Sequence, residues 1–177
     1  MSPFRPDLVD AWIFRDRKGG PVAATGAAAD GSGIEILMLR RAPTKHVLPG
    51  LWQCVSGGLE PGESVAQGAL RELREETGFG PDQIVGFYDL DQINQFHEPT
   101  VEAIMSSAVF AGRVRAGAEP VMSHEHDSMR WVSPEEALRL AVWPAYRESI
   151  TRIVENLLDP ERAIWFELTL DGRRARE

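Results

Sequence analysis

Apolar residues run in short clusters over the first third of the chain, and helical spacing appears only after residue 64. LVDAWIF (8–14) reads as a first strand and IEILMLRR (34–41) as a second, nearly continuous in apolar residues. Between them, residues 15–33 are rich in Gly and Ala with scattered charge and read as a long loop insertion. APTKHVLPG (42–50) is a Pro-containing loop, and LWQCVSG (51–57) is a short strand delivering the chain to Gly57.

The helix that follows is well marked. Ser64 can cap it, with Gln67 three residues on as capping-box partner, and Gly78 and then Pro81 stop it. Ala66, Leu70, Leu73 and Thr77 share its inner face. IVGFYDL (84–90) and VEAIMSSAVFAG (101–112) read as strands separated by the polar connection DQINQFHEPT. SMRWVS (128–133) is a short strand, after which Ser133 and Pro134 open a helix with Pro at its first position. PAYRESITRIVENLLD places Tyr146, Ile150, Ile153, Val154, Leu157 and Leu158 on one side of a further helix. IWFELTL (164–170) alternates enough for a last strand, paired at a sheet edge or with another subunit. Strands, a central helix, more strands and then helices predict an α/β (α+β) sandwich.

Composition narrows the setting. A length of 177 residues suits one domain spanning 1–177, with 160–177 as a C-terminal extension. The net charge of −8 argues against a nucleic-acid or anionic-membrane surface. Arg173, Arg174 and Arg176 form the only basic cluster and read as a solvated tail. The single Cys54, beside Trp52 and Val55, excludes an intramolecular disulfide and reads as a small core residue. No apolar run has the length of a membrane span, and MSPFRPDLVDAW lacks a secretory pattern, so a cytoplasmic location is expected.

The candidate chemistry lies in residues 57–79, GGLEPGESVAQGALRELREETGF. On a helix, Glu72, Glu75 and Glu76 stand at i, i+3 and i+4 and leave one face within a single turn. Like charges so close repel unless a cation sits among them, and a hard divalent ion with oxygen ligands points toward phosphate chemistry. Taken singly, a Glu-rich helix face is usually solvated and a Gly pair is usually a turn. The joint spacing is what carries weight: Gly57, Glu63 six residues on, then RELREETGF from Arg71.

That pattern resembles the Nudix box, with every fixed position filled. The resemblance implies an α/β/α sandwich on a mixed sheet, with the box as a loop–helix–loop. It implies hydrolysis of a nucleoside diphosphate linked to another moiety, with Mg²⁺ (Mn²⁺ as the alternative) as cofactor. By position, Glu72 and Glu76 would be the principal metal carboxylates, Glu75 an accessory ligand or base, and a Ser56 or Gly57 carbonyl a further ligand. Glu63 and Arg71 would brace the loop against the helix, and Leu73 would anchor the helix in the core. HEHDSMRWVS and AVWPAYRESI also resemble the branch of dATP and dihydroneopterin triphosphate pyrophosphohydrolases, in which Glu125 would reach the metal.

The flanking histidines, His124 and His126, read as an exposed polar turn, since a His-x-His pair with no nearby cysteine is a weak sign of zinc. Candidate substrate-binding positions are Arg41, whose guanidinium fork suits phosphate, Trp52, which could stack a base or pterin, and Gly57 and Gly58. Arg40 could take the place of Arg41. Trp143, Tyr146 and Arg147 could close the site, although Trp143 reads as core. Glu72, Glu75 or Glu125 would accept the proton of the attacking water. The expected partner is a nucleotide or pterin triphosphate, with no nucleic acid or membrane, in a monomer or homodimer. Rival readings are cleavage of ADP-ribose, a dinucleoside polyphosphate or a nucleotide sugar, and a nucleotide-binding regulator without turnover.

Overall fold

The fold, taken from a computed structural model, is described for residues 5–17 and 33–176. Strand β1 (Leu8–Asp16) is buried along almost its whole length. Val9, Ala11 and Ile13 enter one core, while Trp12 and Phe14 enter another on the opposite face of the sheet. A strand apolar on both sides belongs in the middle of a covered sheet. Accordingly β1 pairs in parallel with β6 (Ala103–Val114), and antiparallel with β2 (Ile34–Arg41) at one end and β4 (Val55–Gly58) at the other.

The mixed sheet runs β3-β2-β1-β6-β5-β8, with β7 also on β2; β3 is Trp52–Gln53, β5 Ile84–Glu98, β7 His126–Val132 and β8 Glu167–Leu168. Helix α1 (Val65–Thr77) covers one face, packing Ala66, Ala69 and Leu73 into the core of Val9, Ala11 and Leu39. Helices α2 (Pro134–Leu140) and α3 (Pro144–Arg152) cover the other, where Ala137 and Ile150 meet Trp12, Ile36 and Met38. This is the α/β/α sandwich that the sequence leads one to expect.

The signals at the ends of α1 act as read. Ser64 accepts the Gln67 N–H at 3.2 Å while Gln67 accepts the Ser64 N–H at 2.9 Å. Gly78 closes the helix in the left-handed region, at φ 74°. Cys54 is a buried free thiol.

Four expectations need correction. The polar DQINQFHEPT is not a connection: β5 continues to Glu98 and pairs with β6, its register shifting between Asp89 and Ile93. Asp91 takes up that shift with a positive φ of 51°. Ile93, Phe96 and Ile104 are exposed there, so this part of the ribbon has no core face to impose alternation. Next, Arg15 and Asp16 belong to β1 rather than to the 15–33 loop, of which residues 18–32 lie outside the described residues.

The long helix ends early. After Arg152 it widens into a π turn, Ile153–Leu157, which still buries Ile153 and Leu157. Finally, of IWFELTL only Glu167–Leu168 is strand; Phe87 and Tyr88 of β5 pair with it at the sheet edge. A short helix α4 (Pro160–Ala163) and the turn after it use up the preceding residues.

Candidate active site

The site forms where β4 meets the outer face of α1. Arg71, midway along α1, organises it. Its guanidinium grips Glu63 through Nε (3.2 Å) and Nη2 (2.9 Å), and Nη2 also donates to the Gly58 carbonyl at 2.8 Å. Its Nη1 donates to Glu72 at 2.7 Å and to Glu75 at 3.2 Å. One cation thus ties the loop to the helix and reaches two of the three clustered carboxylates. Arg71 is held still more firmly protonated by Glu63, against the opposing effect of burial. Glu63, hydrogen-bonded by Arg71 and by the Glu60 N–H, has its carboxyl below the ordinary value. The bracing role assigned to this pair agrees with its geometry.

Gly57 lies directly against Glu72. A Cβ at position 57 would overlap the Glu72 carboxylate, so any larger residue there must displace that side chain. Burial raises the Glu72 carboxyl, Arg71 opposes this, and Glu75 and Glu125 raise it further.

Glu76, deepest of the three, is only 4% exposed. Its Oε1 accepts the Ser56 N–H at 3.3 Å, while Oε2 is buried with no hydrogen-bond partner among the described residues. Burial pushes Glu76 up to about 8, with Glu72 and Glu125 adding to the rise and Ser56 and Arg41 opposing it.

Glu125 arrives from the loop before β7. That loop is docked on the end of α1 by the Val121 N–H to the Thr77 carbonyl (2.8 Å) and the Ser123 N–H to the Glu76 carbonyl (3.3 Å). Lys45 pairs with Glu125 at 3.0 Å. Burial raises the Glu125 carboxyl, but Lys45, His124 and His126 outweigh it and leave the group below its ordinary value.

These residues suit a hard divalent cation. The donors are carboxylate oxygens, one of them buried and unpartnered, and their mutual repulsion already disfavours full ionisation. Glu72, Glu75, Glu76 and Glu125 could hold such an ion. Among the described residues no three acidic, His or Cys side chains already converge in ligand geometry. Arg71 engages Glu72 and Glu75, and Lys45 engages Glu125, so each of these carboxylates is held by a cationic side chain.

The substrate candidates fare unequally. Arg41 anchors its Nε on the Val47 carbonyl at 2.9 Å, and its charge opposes the rise of the Glu76 carboxyl. Arg40 is instead forked onto Asp127 at 2.7 and 3.1 Å, so it is engaged elsewhere. Trp52 is half-buried against the core of Trp12, Ile36 and Met38, with the guanidinium groups of Arg40 and Arg130 each 5.8 Å from its ring centroid. Gly58 contributes its carbonyl to Arg71. Trp143, read as core, is 41% exposed at the start of α3, whereas Tyr146 packs edge-on against Trp12.

His124 is exposed as expected, but His126 is not. Its side chain is 1% exposed, and burial pushes it down to about 4, which keeps the ring neutral. The cause is a register shift in the β2–β7 pairing. Arg40 faces Ser128 and Arg41 faces His126, so Asp127 is skipped and turns out to Arg40. The exposed reading of His126 fails, and Lys45 carries no sequence signal, because neither belongs to a motif. A bulge between two strands leaves no mark in periodicity.

Residues 20–153 match the NUDIX domain family model. The chain is 34% identical over 109 residues to CTP pyrophosphohydrolase of Escherichia coli, covering 62% of this chain and 75% of that protein. It is 36% identical over 130 residues to an octanoyltransferase of Myxococcus xanthus, covering 71% of this chain but only 34% of the relative's length. A solved Ap4A hydrolase from C. elegans shares the fold with a TM-score of 0.65 at 19% identity, over 84% of this chain and 95% of that one.

Proposed function

Since the chain belongs to the Nudix family, we propose that it is a metal-dependent pyrophosphohydrolase that cleaves a nucleoside triphosphate into a monophosphate and pyrophosphate. The observation that carries this reading is the carboxylate cluster on α1, ordered by Arg71 beside Gly57, with a buried and unpartnered Glu76 oxygen beneath it. A triphosphate is preferred over ADP-ribose because the E. coli relative is a CTP pyrophosphohydrolase.

When bound, Mg²⁺ would neutralise charge on the phosphate oxygens and lower the pKa of a coordinated water. The chain's own residues supply the rest. Glu72, Glu76 and Glu125 would hold the cation. Glu75, half exposed on the outer turn, is placed to accept the proton of the attacking water, with Glu72 as the other acceptor on the same face. Arg71 restrains both carboxylates, so their orientation is set before substrate arrives. Arg41 supplies a guanidinium for substrate phosphate oxygens, and Trp52 offers a flat face to the base.

The test is product analysis over a panel of CTP, dATP, dihydroneopterin triphosphate, ADP-ribose and a dinucleoside polyphosphate, with Mg²⁺ or Mn²⁺. Pyrophosphate and a monophosphate from a triphosphate are expected, and Glu76→Gln should cut turnover by orders of magnitude while the fold persists. Wild-type turnover in that variant would refute the assignment of the site. Cleavage of ADP-ribose alone would refute the assignment of the substrate.

A further inference from the structure

Among the described residues the buried His126 ring makes no hydrogen bond, and it lies against a buried carboxylate oxygen that is equally unpartnered. Nε2 of His126 lies 3.6 Å from Oε2 of Glu76, and among the described residues neither ring nitrogen nor that oxygen has a hydrogen-bond partner. Burying such groups costs free energy, and setting two of them against each other demands a reason. We propose that His126 is a positioning residue for the metal site, its ring donating Nε2–H to Oε2 of Glu76 when that carboxylate holds the cation. The inference rests on the metal-dependent reading above and adds to it a residue outside the box.

Three features of the chain fit this role. Oε1 of Glu76 already accepts the Ser56 N–H at 3.3 Å, so a donor on Oε2 would fix the plane of the carboxylate from both sides. A neutral imidazole supplies that donor without adding a positive charge that would compete with the cation. The separation of 3.6 Å exceeds an N–H···O bond of about 2.7–3.2 Å, so a small rotation of Glu76 completes the contact. The bulge opposite Arg40 and Arg41 is what turns His126 inward, and Arg41, Lys45, Glu125 and Asp127 are the charged groups acting on the ring. Partners of this kind, which orient a ligand without touching the metal, are typically worth about 10–100-fold in metal affinity or activity.

The experiment measures Mn²⁺ affinity by electron paramagnetic resonance for the wild type, His126→Leu and His126→Gln, without substrate. Leucine removes the donor and glutamine keeps one. The expected result is binding about 10–100-fold weaker for His126→Leu and recovery toward wild type for His126→Gln. Equal affinity in all three proteins overturns the proposal, and so does an equal loss in both variants, which would mark a role in shape alone. A second measurement needs no folded variant at this position. In the Mg²⁺-loaded wild type, long-range ¹H–¹⁵N correlation reads the His126 tautomer, and only three other histidines need assignment. A neutral ring protonated at Nε2 supports the proposal; protonation at Nδ1 alone, or at both nitrogens, overturns it. Absence of Mn²⁺ binding by the wild type would instead overturn the metal-dependent reading and this inference with it.

Discussion

Gly57 and Glu72 occupy adjoining space so closely that the carboxylate fills the volume where a side chain on residue 57 would begin. The strand residue and the helix residue are therefore a matched pair. Gly57→Ala must push the Glu72 carboxylate aside or lift β4 from α1. Because small misplacements at a reacting centre cost about 100-fold, turnover should fall by about that factor. Thermal unfolding and steady-state kinetics on the variant check this, with a much smaller change in stability than in rate expected.

Arg71→Lys should lower kcat/KM by about 10–100-fold, the usual scale for a group that orients metal ligands. A lysine keeps the charge but loses the fork that joins Glu63, Glu72, Glu75 and the Gly58 carbonyl. Steady-state kinetics with a metal titration would detect the loss, and near-normal activity would show that charge alone suffices.

Cation binding should expel a proton at neutral pH. Glu76 is raised from its ordinary 4.5 to about 8 by burial, so the metal-free protein at pH 7 holds a proton there that the bound ion must displace. Mixing metal with protein in weak buffer should release protons, and apparent affinity should rise with pH up to about 8. Glu76→Gln should remove most of the release.

The same group sets a pH dependence of stability without metal. With its folded-state value raised above its unfolded value, Glu76 favours the fold fully below about 4.5 and loses that contribution as pH climbs through about 8. Thermal midpoints of chelator-treated protein should fall across that window from this group, and Mg²⁺ should reverse the fall at its upper end. A metal-free midpoint that rises through the window, with the same slope in Glu76→Gln, would contradict the assignment.

Gly78→Ala should destabilise the protein by about 1–2 kcal/mol, the cost of a left-handed backbone for a residue with a Cβ. The new methyl group would also sit 3.2 Å from Cβ of Val121, on the loop that carries Glu125. Chemical denaturation would measure the loss, and metal affinity would report the disturbance of that loop.

What the sequence made readable was local. Ser64, Gln67 and Gly78 mark the limits of α1 through short-range hydrogen bonds, and Leu73 identifies its buried side by spacing. Glu63, Arg71 and the three helix glutamates could be placed because one loop–helix unit carries them all. Residues brought from elsewhere were harder. Glu125 enters as a candidate by resemblance alone, while Lys45 and the burial of His126 depend on how β2, β7 and two loops meet. The π turn after Arg152 and the extension of β5 through DQINQF were hidden for a related reason. The exposed half of β5 has no core face to mark it by alternation, and the π turn keeps Ile153 and Leu157 buried at a helical spacing.

The parallel pairing of β1 with β6 has a kinetic consequence. Leu8 lies opposite Ser107 and Arg15 opposite Val114, so the central strand finds its long neighbour only after most of the chain exists. On a ribosome β1 can meet β2 and β4 early, but the sheet cannot close across its middle until the β5–β6 ribbon emerges. Loop-closure entropy over that separation must be met before the pairing is rewarded, which makes this step a natural bottleneck in folding. Until it is passed, the apolar side chains of β1 remain open to other chains.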